Sequence, residues 1–447
     1  MHTRSVTCLE RGLLGVALAG LLTTPALAVD VGSVDWSQVP ASKPRLFYPA
    51  QSSYEWLRIE DHKKASNEVK GGEACLKCHK GEQKSLGGIL VEEGRLEPDP
   101  IDGKSGYKRI EVQAAHDAEN IYLRVSWESD GEREGNLGNF IRSEGGEWAF
   151  WGNHRQHEVV IDEEQPAIYP DRLGIMIGDK SVPLYPEQGC WMTCHDSLVT
   201  MAEQADEDEV AEHPVIGQLY KAFGVKNEYV RKFLPGSRDD ETSWDTVKAE
   251  GDLAALRKQG AFLDLIIWDA SLTNPVDSAA DFNVLEIKKV DGGTSALLPN
   301  GKMTGGPEYM FDTGKVGYAA LSEDDLNDPA KAKHLIVGVN TAPYDAGAIE
   351  DGGLLPAHVL DPSKASGSAA DVYAKGTWED GTYTVMLSRK LDTGHPEDDI
   401  VLKAGGIYTF GFSIHDDAAG KRAHQVSFPV TVSIGAGEAD IQAQTLQ

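Results

Sequence analysis

The sequence has 447 residues, of which 40% are hydrophobic and 25% are charged. This composition is typical of a globular protein and argues against a disordered, collagen-like or polytopic membrane chain. Asp and Glu number 71 against 42 Lys and Arg, so the formal net charge is −29. A field of this sign repels a phosphate backbone, and nucleic acid is therefore not expected as a partner.

The first 28 residues have the pattern of an export signal. Arg4 and Arg11 supply positive charge, residues 12–22 form an apolar run, and Ala26-Leu27-Ala28 resembles a cleavage site. The run is shorter than the roughly 20 residues that span a bilayer, and no later stretch is long and apolar enough. We therefore expect cleavage after Ala28, a periplasmic location and no membrane span in the mature chain.

Four of the five cysteines lie beyond this signal, in two close pairs that are each followed by histidine. The first pair lies in Cys75-Leu76-Lys77-Cys78-His79, and C-x-x-C-H is the attachment signature of c-type haem. In such a site the thiols of Cys75 and Cys78 bind the haem vinyl groups, and His79 binds the iron. Zinc or a disulfide is the alternative. A thioredoxin-like pair is disfavoured because no βαβ pattern surrounds the motif.

The second pair lies in Cys190-Trp191-Met192-Thr193-Cys194-His195, which has one residue more between the cysteines than the standard signature. Widened spacings occur among multihaem cytochromes. The motif therefore predicts a second covalent haem attached to Cys190 and Cys194, with His195 as an iron ligand. The alternatives are a haem held without both thioether bonds, a disulfide, and a structural zinc site, because Cys and His are also preferred zinc ligands.

An iron that only transfers electrons needs a further axial ligand. His62 is the candidate upstream of the first motif, in a segment with helical propensity, and a solvated surface histidine is the alternative interpretation. For the second iron the sequence offers candidates that it does not rank: Met176, His154, His157, His415 and His424.

From Tyr107 onward the hydrophobic period becomes two, which is typical of half-buried strands. Residues 110–114 and 121–127, separated by a turn at residues 117–120, predict a β-hairpin. Further strand-like runs are separated by Gly, Asp, Asn and Pro clusters: residues 158–161, 173–177, 262–268, 335–339, 383–387, 407–414 and 425–432. Many short strands without alternating helices predict a mainly β fold, a sandwich or barrel rather than a parallel sheet.

One region breaks this pattern, because residues 198–259 are predicted to form a helical insertion that could wall the second haem. Its helical pieces are expected at residues 215–223, 228–233 and 244–256. The acidic run from Glu203 to Glu212 is interpreted as solvated surface, with docking of a basic redox partner as the alternative.

Outside the insertion, several acidic residues are interpreted as scattered loop carboxylates without paired acid–base roles: Asp277, Asp281, Glu323, Asp324 and Asp325. The predicted organisation is a signal peptide at 1–28, an N-terminal c-type haem segment at 29–105, a β-sandwich haem-binding domain at 106–436 and a frayed tail at 437–447.

From about Tyr54 to Val432 the chain resembles the ethylbenzene-dehydrogenase-related, DMSO-reductase-like haem-binding family, in the form with an N-terminal c-type haem segment. The resemblance is carried by these segments: Glu111–Asp117, Ile121–Trp127, Asp171–Leu173, Gly189–Cys190 with His195, Phe262–Trp268, and Tyr408–Asp417 with His424. It implies a β-sandwich whose end holds a haem and which acts in periplasmic electron transfer.

The best-known branch of this family is a small subunit of a molybdenum enzyme and binds b haem through Met and Lys. The cysteines at 190 and 194 depart from that branch, so those ligands are not carried over. No molybdenum-cofactor domain is recognisable in the sequence, and a catalytic subunit would therefore be a separate protein.

These patterns together predict a periplasmic dihaem c-type cytochrome that relays electrons. Its expected partners are redox proteins, such as a molybdenum enzyme or a membrane quinol-oxidising cytochrome. Two alternatives stay open: a dihaem oxidoreductase with one haem open to a small oxidant or substrate, and a zinc-stabilised β-sandwich binding module. Whether the protein is an enzyme is therefore not decided by the sequence.

Overall fold

The computed structural model describes the chain in eleven segments: residues 31–48, 78–79, 81–92, 104–183, 185–193, 206–218, 233–241, 243–301, 306–420, 423–435 and 437–446. Five of the predicted functional features lie outside these segments: the signal peptide, His62, Cys75, Cys194 and His195. Of Cys190, only its place in a helix is described. These predictions stay predictions.

The described residues contain six α-helices: α1 (Gln83–Glu92), α2 (Glu158–Ile161), α3 (Tyr185–Thr193), α4 (Glu207–Glu212), α5 (Glu250–Lys258) and α6 (Thr313–Val316). They also contain 24 strands: β1 (Ala41–Ser42), β2 (Arg45–Phe47), β3 (Tyr107–His116), β4 (Asn120–Glu128), β5 (Phe140–Glu144), β6 (Glu147–Trp151), β7 (Arg172–Gly178), β8 (Leu263–Asp269), β9 (Ala280–Val284), β10 (Lys288–Val290), β11 (Gly293–Thr294), β12 (Leu297–Pro299), β13 (Tyr309–Phe311), β14 (Leu335–Ile336), β15 (Thr341–Pro343), β16 (Leu354–Pro356), β17 (His358–Leu360), β18 (Ser366–Gly367), β19 (Tyr373–Glu379), β20 (Thr382–Lys390), β21 (Ile407–His415), β22 (Gln425–Ser427), β23 (Val430–Ile434) and β24 (Ile441–Thr445).

Fourteen of these strands form one hydrogen-bonded network that folds into two layers. The first layer has the order β19-β20-β4-β3, and the second has the order β10-β9-β8-β7-β21-β22. Strand β2 joins the two layers because it pairs with both β3 and β22. The neighbours along this path are antiparallel, which is the arrangement that the turn-rich sequence predicted.

The predicted hairpin is confirmed as β3 and β4, with Val112 opposite Val125. Its turn is fixed by Asp117, whose Oδ1 accepts hydrogen bonds from the backbone N–H groups of Glu119 at 2.8 Å and Asn120 at 2.7 Å. An Asp side chain that closes a turn in this way explains why the short sequence pattern was sufficient to predict it.

Aromatic side chains join the two layers. Trp127 on β4 stacks on Tyr383 of β20 with ring centroids 4.9 Å apart. Trp268 of β8 meets both rings edge-on, at 6.2 Å from Trp127 and 5.7 Å from Tyr383. All three side chains are almost fully buried. The layers therefore share one interior, and the mainly β, sandwich-like fold that the sequence predicted is confirmed.

A second, smaller core lies beside the sandwich. It is built on three small sheets, with the orders β16-β5-β6, β12-β17-β14 and β13-β15. Trp148, Phe311 and Leu354 are among its buried side chains. The strand predicted at residues 335–339 belongs here, but only Leu335 and Ile336 pair, as β14.

Two predicted elements are wrong. Residues 158–161 form helix α2 rather than a strand, because the ring of His157 accepts a hydrogen bond from Val159 N and caps the helix. The helix predicted at residues 244–256 begins only at Glu250, because Val247 bridges to Arg238 and Lys248 N bonds to Ser237 O. Much of the remaining insertion lies outside the described residues.

Two further expectations are corrected by strand pairing. The tail predicted to be frayed contains β24, which runs parallel to both β23 and β3. Asp281, interpreted as a loop carboxylate, lies on β9 and is completely buried. Among the described residues, no helix is long and apolar enough to cross a bilayer.

The packing of Gly376 against Trp268 supports a stability prediction. A Cβ at Gly376 would lie 2.2 Å from Cζ2 of Trp268. Neither group can move aside easily, because Asn274 Oδ1 accepts hydrogen bonds from both the Gly376 N–H at 2.7 Å and the Trp268 indole at 3.1 Å. We expect Gly376→Ala to lower the free energy of unfolding by about 2–3 kcal/mol, measured by urea denaturation followed by circular dichroism.

The matched control is Gly251→Ala, on the exposed face of α5, where a new Cβ meets nothing within 4 Å. It should leave stability unchanged or raise it by up to about 1 kcal/mol. Equal stability of Gly376→Ala and the wild type would contradict the close packing of the two layers.

Candidate functional site

The end of the first Cys–His motif, Cys78 and His79, lies a few residues before helix α1. Cys78 is exposed and forms no disulfide with any described residue. The helix that follows is anchored, because Leu90 is 5% exposed in the main core and Leu86 and Val91 pack against that core. The motif is therefore followed by a helix that is held in place by packing against the sandwich.

His79 is oriented by a carboxylate. Its Nδ1 lies 2.9 Å from Oε2 of Glu82, and the side chains of the two residues are 31% and 58% exposed. The backbone supports the pair, because Glu82 N donates to His79 O and Leu86 N donates to Glu82 O. An imidazole whose Nδ1–H is donated to a carboxylate has Nε2 as its metal-binding nitrogen, and the carboxylate makes that nitrogen more basic.

The second motif begins inside helix α3, which packs against β7, β21 and β22. Tyr185 at its start is completely buried, and its phenol donates to Met176 O at 3.0 Å. The helix is interrupted at Gly189, with φ 59° and ψ −160°. A side chain at that position would meet Pro429, with a Cβ 2.9 Å from its Cγ. This glycine therefore lets the backbone before Cys190 lie directly on the sheet.

Two of the candidate iron ligands stand together at the ends of the strands on which this helix packs. His415 ends β21, and His424 immediately precedes β22. Their rings stack with centroids 4.3 Å apart and an interplanar angle of 12°. Because α3 packs on these same two strands, the fold holds the histidine pair and the backbone of the second motif on one support.

The other candidates occupy different positions. His154 is buried and contacts His157, with ring centroids 5.5 Å apart. A Cβ at Gly420 would lie 2.3 Å from Cγ of His154, so this ring touches the loop between His415 and His424. Met176 is buried in the main core. The structure thus gathers four histidines around one loop.

This loop is held by a conformation that non-glycine residues rarely adopt. Asp417 and Ala418 both have a φ of 56°, in the left-handed region that disfavours L-residues. Arg155 supports both, because its guanidinium pairs with the Asp417 carboxylate and its backbone N donates to Ala418 O at 3.0 Å. Strained backbone held in this way is common at functional sites.

A buried ion network fixes the start of the loop. Lys108 on β3 donates from Nζ to Asp416 Oδ2 at 2.6 Å and to Asp130 Oδ1 at 2.9 Å. Lys104 Nζ donates to Asp416 O at 2.9 Å. The Asp416 side chain is 1% exposed and that of Lys108 is 5% exposed. The hairpin β3–β4 is thereby tied to the residue directly after His415.

The electrostatics of this network favour the charged forms of Lys108 and Asp130. Burial lowers the pKa of Lys108, but Asp416 and Asp130 outweigh it, and the pKa lies above its ordinary value. Burial raises the pKa of Asp130, but Lys108 and Lys104 outweigh it, and that pKa lies below its ordinary value. Each group stabilises the ionised state of its partner.

A cleft of about 600 Å³ opens next to the loop, lined in part by Asp130, Glu134, Asp171, Arg155 and Asp417. Burial raises the pKa of Glu134 and, with the charge of Asp416, raises the pKa of Asp171 well above its ordinary value. A lining with more carboxylates than cations disfavours an anionic ligand. The cleft is therefore a poor place for a porphyrin carrying propionates.

Sequence reasoning missed the residues that position the site. Glu82 could have been found, since a carboxylate three residues after a motif histidine can reach its Nδ1 across one helical turn. Lys104, Lys108 and Asp416 carried no local signal, because Lys108 and Asp416 are separated by 308 positions and only the fold brings them together.

A sequence model of the family described as ethylbenzene dehydrogenase matches residues 33–427. Cytochrome c-552 of Stutzerimonas stutzeri is 25% identical over 417 residues, which cover 93% of this chain and 92% of that protein. Cytochrome c-551 of Rhodocyclus tenuis is 25% identical over 168 residues, or 37% of this chain and 56% of that protein. The similarity to the first protein thus extends over nearly the whole sequence.

The ion network leads to a second stability prediction. Lys108→Met removes a buried cation and leaves the Asp416 and Asp130 carboxylates short of a partner. We expect the free energy of unfolding to fall by about 3 kcal/mol, as for other buried pairs that lose one member. Urea denaturation measures this.

The control is Lys43→Met, because Lys43 pairs with Glu111 on the surface, where the side chains are 70% and 36% exposed. That change should cost less than about 1 kcal/mol. If the free energy of unfolding fell by the same small amount in both variants, the Lys108 network would not stabilise the loop.

Proposed function

Since this chain belongs to the ethylbenzene dehydrogenase family, we propose that it is a periplasmic dihaem c-type cytochrome that relays electrons to or from a separate redox enzyme. The names of its relatives, cytochrome c-552 and cytochrome c-551, support a cytochrome and electron-transfer role. The finer statements, namely two haems, the periplasm and a relay between proteins, rest on the sequence motifs.

The observation that carries the proposal is the pairing of His79 with Glu82. The donor set fits a c-type haem: Cys75 and Cys78 would supply the thioether bonds, and His79 would supply the axial nitrogen. When bound, haem iron supplies one-electron transfer. The role of Glu82 is to fix the ring plane and the tautomer of His79, and α1 anchors both residues to the sandwich.

For the second site the proposal names Cys190 and Cys194 as attachment residues and His195 as an iron ligand. It is supported by the packing of α3 against β21 and β22, the strands that end at His415 and begin after His424. For the first iron, His62 stays the proposed further ligand.

The expected partners are redox proteins with a basic docking surface, because the chain has a formal net charge of −29. The proposed partners are a molybdenum enzyme or a membrane quinol-oxidising cytochrome. Attraction of this kind accelerates association and weakens as ionic strength rises.

The first test counts covalent haems. Intact mass and a pyridine haemochrome spectrum are measured on the mature protein, made in a host that attaches haem c, beside the variant Cys190→Ala/Cys194→Ala. We expect two haems in the wild type and one in the variant, and a mature chain that starts after Ala28.

Other counts would change the proposal. One haem in both proteins would assign Cys190–His195 to a structural or metal site. No covalent haem, with bound zinc instead, would replace the cytochrome by a zinc-stabilised binding module.

The second test examines the His79–Glu82 pair. Glu82→Gln removes the negative charge beside the imidazole, which makes His79 a weaker donor to oxidised iron. We expect the midpoint potential of the first haem to rise by about 30–60 mV, where 59 mV corresponds to 1.4 kcal/mol for one electron. Spectroelectrochemical titration measures it.

Glu350→Gln is the control, because it removes the same charge from an exposed loop in the smaller core. Equal shifts in both variants would mean that only overall charge matters and that Glu82 does not act through His79.

A further inference from the structure

Three buried carboxylates converge far from the cysteine motifs in sequence. Asp264 lies on β8, Asp281 on β9, and Asp399 in the segment that follows β20. Asp264 and Asp281 are 0% exposed and Asp399 is 1% exposed. One oxygen from each lies within 4.8 Å of the others. Full burial distinguishes this group from acidic clusters on a surface.

Each carboxylate has one oxygen fixed by neighbours. Asp264 Oδ2 pairs with the Arg389 guanidinium and accepts from Ile400 N at 3.0 Å. Asp281 Oδ1 accepts from Phe282 N at 3.0 Å. Asp399 Oδ2 accepts from the hydroxyls of Ser368 and Thr393. These contacts orient all three side chains.

The other oxygen of each carboxylate has no donor among the described residues. These oxygens are Asp264 Oδ1, Asp281 Oδ2 and Asp399 Oδ1. A fourth buried carboxyl, Asp291, has the same pattern: its Oδ1 accepts from Asn283, and its Oδ2 has no described donor. A buried polar atom without a partner costs about 1–3 kcal/mol, and more when it is charged. Four such atoms in one region indicate a missing positive partner.

The charges near the cluster do not balance. Among the described residues, Arg389 forms an ion pair with Asp264, whereas Asp291 and the half-buried Asp371 add negative charge. Burial and neighbouring carboxylates raise the pKa of Asp264 to about 6 and that of Asp371 to about 7. Carboxylates shifted in this way are stabilised strongly by a divalent cation.

We infer that Asp264, Asp281 and Asp399 bind one Ca²⁺ ion. The donors are all hard oxygens, the ligand type of Ca²⁺ and Mg²⁺. Mg²⁺ dehydrates reluctantly and usually keeps several waters, whereas Ca²⁺ accepts a shell made mostly of protein oxygens. Three carboxylates that are at most 1% exposed, with one oxygen of each within 4.8 Å of the others, therefore favour Ca²⁺.

The position of this ion gives it a structural role. Asp264 and Asp281 belong to the second layer, whereas Arg389 lies on β20 of the first layer. Asp399 reaches the cluster from the chain that leaves β20. The cation would therefore join the two layers near one end of β8 and β20, whereas the Trp268–Tyr383 contact joins them near the other end. There it would replace the repulsion between carboxylates by attraction to the ion.

The experiment uses the mature, haem-loaded protein. It is treated with EGTA, passed through a chelating resin, and returned to buffers with CaCl₂, with MgCl₂ or with neither. We expect one calcium per chain by elemental analysis after dialysis, and a melting temperature about 3–5 °C higher in CaCl₂ at saturating concentration. MgCl₂ should give a smaller shift.

Two variants locate the ion. Asp281→Asn keeps the size of the side chain but removes its charge, so the bound calcium and the CaCl₂-dependent shift should both be lost. In EGTA this variant should melt at or above the wild-type temperature, because one repelling charge is gone. The control Asp345→Asn changes an exposed turn residue and should keep the bound calcium.

Several results would overturn the inference. One is a wild-type protein that binds no calcium and melts at the same temperature in all three buffers. Another is a rise in melting temperature with MgCl₂ equal to that with CaCl₂. The third is an Asp281→Asn protein that still binds calcium. If Asp281→Asn does not fold, the calcium content and the melting temperatures of the wild-type protein in the three buffers still test the inference. Haem content is recorded for each sample, so that a failure of the proposed haem sites is seen separately.

Discussion

The pairing of β21 with β7 is the contact on which the arrangement of the candidate site depends. Seven residue pairs join these strands, from Thr409 opposite Gly178 to His415 opposite Arg172. β21 also pairs with β22 and β23 and supports helix α3. The strand thus sets the position of the second motif and of the histidine loop together, because a shift by one residue would turn every side chain to the other face.

Buried charge is handled in two ways in this protein. At the end of the hairpin, Lys104 and Lys108 meet Asp130 and Asp416, and cations and anions alternate through the network. Between β8 and β9, by contrast, carboxylates outnumber the cation that pairs with them. The first arrangement is complete within the chain, whereas the second requires protons or an added cation. Both use the same low-dielectric interior, in which an unpaired charge is far more costly than in water.

The sequence predicted what depends on local patterns. Alternating residues and an Asp-closed turn predicted the hairpin β3–β4, and the spacing of turns predicted a mainly β sandwich. The strand prediction at residues 158–161 is wrong because a run of four residues is too short for its hydrophobic period to distinguish a strand from a helix. The helix forms because the ring of His157 caps its N-terminus. Asp281 was mistaken for a loop residue because a carboxylate in a strand contradicts strand propensity. Asp264 and Asp399 are distant from Asp281 in the sequence and come close to it only in the folded structure.

Strand β24 has a consequence for the order of folding. Thr445 on this strand pairs with His116, a separation of 329 positions. Contacts over such a distance close slowly, and this one cannot form until the chain as far as Thr445 is available for pairing. The proposed attachment residues Cys75, Cys78 and His79 precede β3 and the later strands of the sandwich in the chain. They can therefore be modified while the chain is still open, before β24 closes the domain.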